Sequence, residues 1–181
     1  MRIIRGKFKT RRYSVPKNFP SRPTTDFAKE GLFNILENRA DLENLRILDL
    51  CAGTGSISIE FLSRESGTVV GVDLNFNCVR HLKKIAAELD CRKEFSIVKS
   101  DILKYLKNTE EQFDLIFADP PYAYDHHSQI IDVVFERELL KEGGELIVEH
   151  GKETDLSDRT QFDFCRTYGN VHFSFFNLEE E

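Results

Sequence analysis

The stretch Arg46-Ile47-Leu48-Asp49-Leu50-Cys51-Ala52-Gly53-Thr54-Gly55-Ser56 decides how this chain folds. A short apolar strand runs into a turn built on two glycines, and a helix is expected directly after Gly55. The downstream sequence continues this alternation. Thr68-Val69-Val70-Gly71-Val72 reads as a second strand, and Asn75 caps a helix whose Val79, Leu82, Ile85, Ala86 and Leu89 share one side. Phe95 to Lys99 is the third strand and Asp114 to Ala118 the fourth. Ile130, Ile131, Val133 and Val134 line a helix expected to end before Gly143-Gly144, and Glu145 to Glu149 is the fifth strand. Gly169-Asn170 is a hairpin signal joining Phe164–Tyr168 to Val171–Asn177. Upstream, Ile3 to Val15 reads as a short hairpin around Gly6, followed by the proline-rich loop Pro16 to Pro23. Thr24 or Thr25 then caps a helix with Ala28, Leu32, Ile35 and Leu36 on one face. The expected fold is α/β, a doubly wound and mostly parallel seven-stranded sheet with an antiparallel hairpin at its C-terminal edge.

The chain's 181 residues suit one domain, residues 1–22 being a basic extension and 23–181 the body. No apolar run approaches the ~20 residues that span a bilayer. The first residues lack the apolar stretch of a signal peptide, so a cytoplasmic address is expected. Cys51, Cys78, Cys91 and Cys165 form no CxxC pair, so neither a zinc site nor a disulfide framework is indicated. The net charge of −6 conceals an asymmetry. Residues 1–22 hold eight basic residues and no acidic one, whereas the remainder carries 17 basic and 31 acidic. A cationic arm on so acidic a body points to phosphate recognition by Arg2, Arg5, Lys7, Lys9, Arg11 and Arg12. The alternative is a solvated basic hairpin with no partner.

In a doubly wound fold, ligands sit outside the carboxyl ends of the strands. Each of the five parallel strands ends near an acid: Asp49, Asp73, Asp101, Asp119 and Glu149. Acids gathered at one mouth call for a cationic or donor-rich ligand. Gly53 and Gly55 let the backbone approach that ligand, but Ile57 and Ser58 follow where a dinucleotide turn brings its third glycine. Asp49 would repel a pyrophosphate and suits an ammonium or sulfonium group. Asp73, 20 residues after Gly53, has the spacing of a carboxylate that bridges ribose hydroxyls. A positively charged nucleoside without phosphate describes S-adenosylmethionine. Asp101 and Ile102 would flank its adenine. The full cofactor set is Asp49, Ala52, Gly53, Thr54, Gly55, Asp73, Leu74, Asp101 and Ile102, with Arg22 and Thr24 closing over it and Asp26 capping the helix behind them.

Asp119-Pro120-Pro121-Tyr122 follows the fourth strand. It offers a carboxylate, rigid backbone carbonyls and an aromatic face in four residues. That set can grip a planar ring bearing an exocyclic amine, with Asp119 and the Pro120 carbonyl accepting the two N–H bonds and Tyr122 stacking on the ring. Pro120-Pro121 can also simply end the strand.

The chain resembles the bacterial 16S rRNA guanine-N2 methyltransferases of the RsmD family nearly end to end. The resemblance is carried by Met1-Arg2-Ile3-Ile4, Arg22-Pro23-Thr24-Thr25-Asp26 with Glu30 and Leu32-Phe33-Asn34, and Asp49 to Ser56. Glu60 with Leu62-Ser63-Arg64, Asp101, Asp119-Pro120-Pro121-Tyr122, Val148-Glu149 and Tyr168-Gly169 complete it. It implies a class I, Rossmann-like enzyme that uses S-adenosylmethionine to methylate the exocyclic N2 of one guanine in 16S rRNA. It also implies action on small-subunit particles, and a monomer without metal is expected. Lys29 departs from the family by standing where arginine is frequent, and Tyr124-Asp125-His126-His127 lies outside the matched motifs. A DNA adenine-N6 or other RNA amino-methyltransferase shares the proline motif, but 181 residues leave no room for a target-recognition segment. An inactive RNA-binding module would need a spoiled motif, and none is visible. His126 and His127 read as plain surface, Cys51 as small-residue packing, and Phe173, Phe175 and Phe176 as hairpin core.

Overall fold

A computed structural model describes residues 1–21, 24–121 and 123–178. The expectations placed on Arg22 and Tyr122 lie outside the described residues. Thr25 caps α1 (Asp26–Arg39), its hydroxyl accepting the Ala28 N–H at 3.2 Å. Asp26 is not the cap: it is the first helical residue and pairs with Arg2 at 3.2 Å. The buried stripe is Ala28, Lys29, Leu32, Phe33 and Leu36, while Ile35 is only partly buried.

The body then alternates: β1 (Arg46–Leu50), α2 (Ser56–Ser63), β2 (Thr68–Asp73), α3 (Phe76–Glu88) and β3 (Phe95–Lys99). It continues with α4 (Ile102–Asn108), β4 (Phe113–Ala118), α5 (His127–Glu136), β5 (Leu140–His150), β6 (Phe162–Tyr168) and β7 (Val171–Asn177). The sheet order is β3-β2-β1-β4-β5-β7-β6, with the first five strands parallel and β7 antiparallel to both neighbours. Alternate residues divide the core by sheet face. Ile47, Val69, Leu115 and Ile147 pack toward α1, α2 and α3, while Leu48, Val70, Ile116 and Leu146 pack toward α4 and α5. Among the described residues no helix is long and apolar enough to cross a membrane.

Three elements differ from the sequence expectation. The seven-residue α4 has too few turns for a visible stripe; only Ile102 and Leu106 are buried, and the Asp101 carboxylate caps it by accepting the Lys104 N–H at 2.9 Å. Helix α5 stops at Glu136 rather than running toward Gly143-Gly144. Those glycines lie inside β5, where the register against β4 shifts and Gly143 takes φ +70°. Finally, the N-terminal hairpin reduces to one antiparallel bridge, Arg2 to Arg12, closed by turns.

That arm is docked rather than free. Ile3 and Phe8 are buried in the core. Lys7 N–H donates to the Ser63 carbonyl at 2.7 Å, and Phe8 N–H to the Ser63 hydroxyl at 3.0 Å. Gly6, at φ +87°, lies so close that a Cβ would sit 1.8 Å from the Ser63 carbonyl oxygen.

Candidate functional site

The five-acid row assembles as the strand ends suggest. Asp49 lies on the face of Ile47, and Glu149 on the face of Ile147, because residues two apart share a face. Asp119 follows β4, its N–H donating to the Leu50 carbonyl at 3.1 Å, and so sits between the ends of β1 and β5. Burial, reinforced by neighbouring carboxylates, pushes Asp49 up to about 7 and Glu149 up to about 9. Burial also pushes Asp119 up to about 7. Each acid disfavours ionisation of the others in a dry pocket.

The glycine turn is held by Asp73. Its two carboxylate oxygens accept the Gly53 N–H and the Asn75 N–H, each at 2.8 Å. The 20-residue spacing thus has a structural cause that sequence reasoning missed: Asp73 fixes the turn beside which the ligand would lie. Gly53 takes φ +53°, and a Cβ there would meet the Ser21 hydroxyl at 2.4 Å, so the proline loop rests on the turn. Gly55, at φ +79°, starts α2. The Ser58 hydroxyl donates to the buried Asp49 carboxylate, another partner that the sequence does not advertise. Cys51 sits in the turn with burial and four carboxylates pushing its thiol up, the reverse of an activated nucleophile.

A narrow cleft is lined by Ser21, Thr24, Asp49, Ala52, Thr54 and Asp119, which brings residues from three distant segments together. Beside it a wider cavity is lined by Arg2, Arg12, Thr24 and Ser56, so the basic arm reaches the lip of the cleft. Asp101 uses one carboxylate oxygen as a helix cap, and Leu74 lies exposed beside Asp73. Pro120 is buried and Pro121 exposed. The Pro121 carbonyl accepts the Tyr124 N–H at 2.8 Å, whereas the Pro120 carbonyl has no hydrogen-bond partner among the described residues.

Of the six expected RNA contacts, two are already paired. Arg2 reaches Asp26 and Glu30, and Arg5 reaches Glu37 at 2.6 Å. No carboxylate lies within ion-pair distance of Lys7, Lys9, Arg11 or Arg12 among the described residues. His126 is exposed, but the reading of His127 as surface is corrected: it is 4% exposed, edge-on to Tyr124 at 5.6 Å. Helical spacing puts it on the same face as the buried Ile130, Ile131 and Val134. Phe173, Phe175 and Phe176 are fully buried, as expected of hairpin core.

The donor set fits a cationic cofactor. The Glu149 Oε2 atom is buried without a hydrogen-bond partner among the described residues, beside two further carboxylates held partly neutral by burial. A mouth this rich in acceptors and short of positive charge matches a sulfonium and an ammonium, and opposes a phosphate. Asp49, Ala52, Thr54 and Thr24 would hold the group, with Asp73 keeping the turn in place.

Residues 1–177 match the family described as Conserved hypothetical protein 95. Ribosomal RNA small subunit methyltransferase D of Haemophilus influenzae is 33% identical over 159 residues, covering 86% of this chain and 81% of that protein. A solved Haemophilus influenzae structure described as a candidate methylase is similar at 30% identity, with a TM-score of 0.80 and 98% of each chain covered. An SAH-bound methyltransferase of Podospora anserina is 12% identical with a TM-score of 0.65, covering 82% of this chain and 76% of that one, a likeness of fold alone. The seven-stranded sheet is thus the class I methyltransferase fold.

Proposed function

The chain belongs to this family, the RsmD family, and on that premise we propose that it methylates the exocyclic N2 of a guanine in 16S rRNA, as a monomer acting on small-subunit particles. It is an S-adenosylmethionine-dependent rRNA methyltransferase. The observation that carries the reading is the shared cleft of Asp49, the glycine turn and Asp119. It sets an amine-accepting carboxylate next to a site suited to a cation.

When bound, S-adenosylmethionine supplies an electrophilic methyl group on a positively charged sulfur. Asp49 and Asp119 offer the negative charge that would hold such a ligand. Asp119 and the Pro120 carbonyl accept the two N2 hydrogens and orient the amine. As nitrogen gains a bond to carbon it gains positive charge, and a carboxylate facing it stabilises that charge more than the starting state. Because burial pushes Asp119 up to about 7, it can also take the N2 proton that must leave. Tyr122 would stack on the base. The arm's Lys7, Lys9, Arg11 and Arg12 would face the RNA backbone.

The test is tritium transfer from labelled S-adenosylmethionine to unmodified small-subunit particles, naked 16S rRNA and DNA in parallel. Nuclease digestion of labelled rRNA should yield N2-methylguanosine. Label in DNA adenine, or in no nucleic acid, would defeat the proposal.

A further inference from the structure

Away from the cofactor cleft, α3 turns Val79, Leu82, Ile85 and Ala86 inward and leaves Arg80, Lys83 and Lys84 exposed. Three cations within five residues are unusual on a body with 17 basic and 31 acidic residues. Two of them, Arg80 and Lys84, line a cleft with Glu88 of the same helix, and with Arg12 and Tyr13 of the docked arm and Phe19 of the proline loop. The cleft measures about 670 Å³, room for more than a single ion. Lys84 reaches only Glu88 at 3.7 Å, and no carboxylate lies within ion-pair distance of Arg12 or Arg80 among the described residues.

Like charges held across a concave wall repel one another unless an anion bridges them, and a low-dielectric wall focuses the field toward such an anion. Within the cleft Phe19 packs against His81, ring centroids 4.9 Å apart at 58°. An aromatic face flanked by arginine and lysine from two elements suits a polymer that carries phosphate and planar bases. The arm's side of the cleft is continuous with the cavity where Arg12 meets Thr24 at the lip of the active-site cleft.

We propose that this cleft between the arm and α3 binds the phosphodiester backbone of the rRNA strand flanking the target nucleotide, with Arg80 and Lys84 as the contacts that the arm alone does not supply. The proposal rests on the rRNA reading above. It also accounts for the arm's docking: ion pairs that neutralise Arg2 and Arg5 present Arg12 across from Arg80.

The test uses the full chain with Arg80→Gln/Lys84→Gln, and Lys83→Gln as a charge control outside the cleft. Binding to unmodified 16S rRNA is followed by anisotropy between 50 and 200 mM salt, and S-adenosylmethionine binding by calorimetry. Loss of two phosphate contacts should weaken rRNA binding roughly tenfold and flatten the log–log salt slope by about 1.4, at ~0.7 per single-stranded contact. Cofactor affinity should stay as in the unaltered chain, and Lys83→Gln should leave the slope unchanged. If the double variant binds rRNA with an unaltered slope while the unaltered chain methylates rRNA, the cleft proposal alone is overturned. If the unaltered chain neither binds nor methylates rRNA, both the cleft and the rRNA reading fall. A slope lowered equally by Lys83→Gln would mean diffuse charge and would also overturn the cleft.

Discussion

Lys29 of α1 and Glu60 of α2 form an ion pair 3.3 Å long, with side chains 1% and 0% exposed. Glu60 also accepts the Ile4 and Arg5 N–H groups at 3.1 Å and pairs with Arg64, while Lys29 donates to the Arg2 carbonyl at 2.6 Å. Two buried charges therefore clamp the arm's backbone to the helices that frame the cofactor mouth. Removing Lys29 takes one charged partner from Glu60, which Arg64 and two N–H groups still satisfy, and so costs about 1.5–3 kcal/mol. Lys29→Met should lower the urea unfolding free energy by about that amount; a change under about 1 kcal/mol would show the pair to be idle.

Ser63 clamps the same arm without charge. Its hydroxyl donates to the Arg5 carbonyl and accepts the Phe8 N–H. Ser63→Ala leaves a buried N–H unpaired, at a cost of about 1–3 kcal/mol. Because the loss is local to the arm, trypsin should cut between Arg5 and Arg12 faster than elsewhere. Uniform acceleration over the chain would instead signal global unfolding.

The carboxylate cluster predicts a pH dependence with a definite sign. Asp49 and Asp119 are raised to about 7 and Glu149 to about 9, so the folded state binds more protons than the unfolded chain above pH ~4. Their contribution is fully present below pH ~4 and is lost as pH rises through 7, and for Glu149 through 9. Glu149→Gln should therefore lose less thermal stability between pH 7 and 9 than the unaltered chain. A cationic ligand favours the ionised acids, so calorimetry in two buffers should record proton release on S-adenosylmethionine binding. Proton uptake would contradict the assignment of these acids to the cofactor mouth.

Asp119→Ala should reduce methyl transfer roughly 10²–10⁴-fold, the range for loss of an electrostatic or acid–base group. Asp49 and Glu149 remain at the mouth, so loss of Asp119 should change cofactor affinity far less than turnover. Full turnover in this variant would remove Asp119 from the chemistry.

The order of strands and helices, the glycine turn, the acids at five strand ends and the hairpin at Gly169 are legible in the sequence because each rests on local periodicity or local backbone preference. Asp49, Asp119 and the turn could be grouped because a parallel sheet places all carboxyl ends at one edge. What local pattern does not encode is which buried group meets which. Lys29, read only as a lysine where the family often has arginine, is a core cation because α1 packs over Glu60. Asp73 shows its hold on Gly53 N–H only once β1 and β2 lie side by side. The arm illustrates the division best. Its charge is written in the first 22 residues, but whether each cation is free or paired depends on acids at positions 26, 30 and 37, which only tertiary packing brings near.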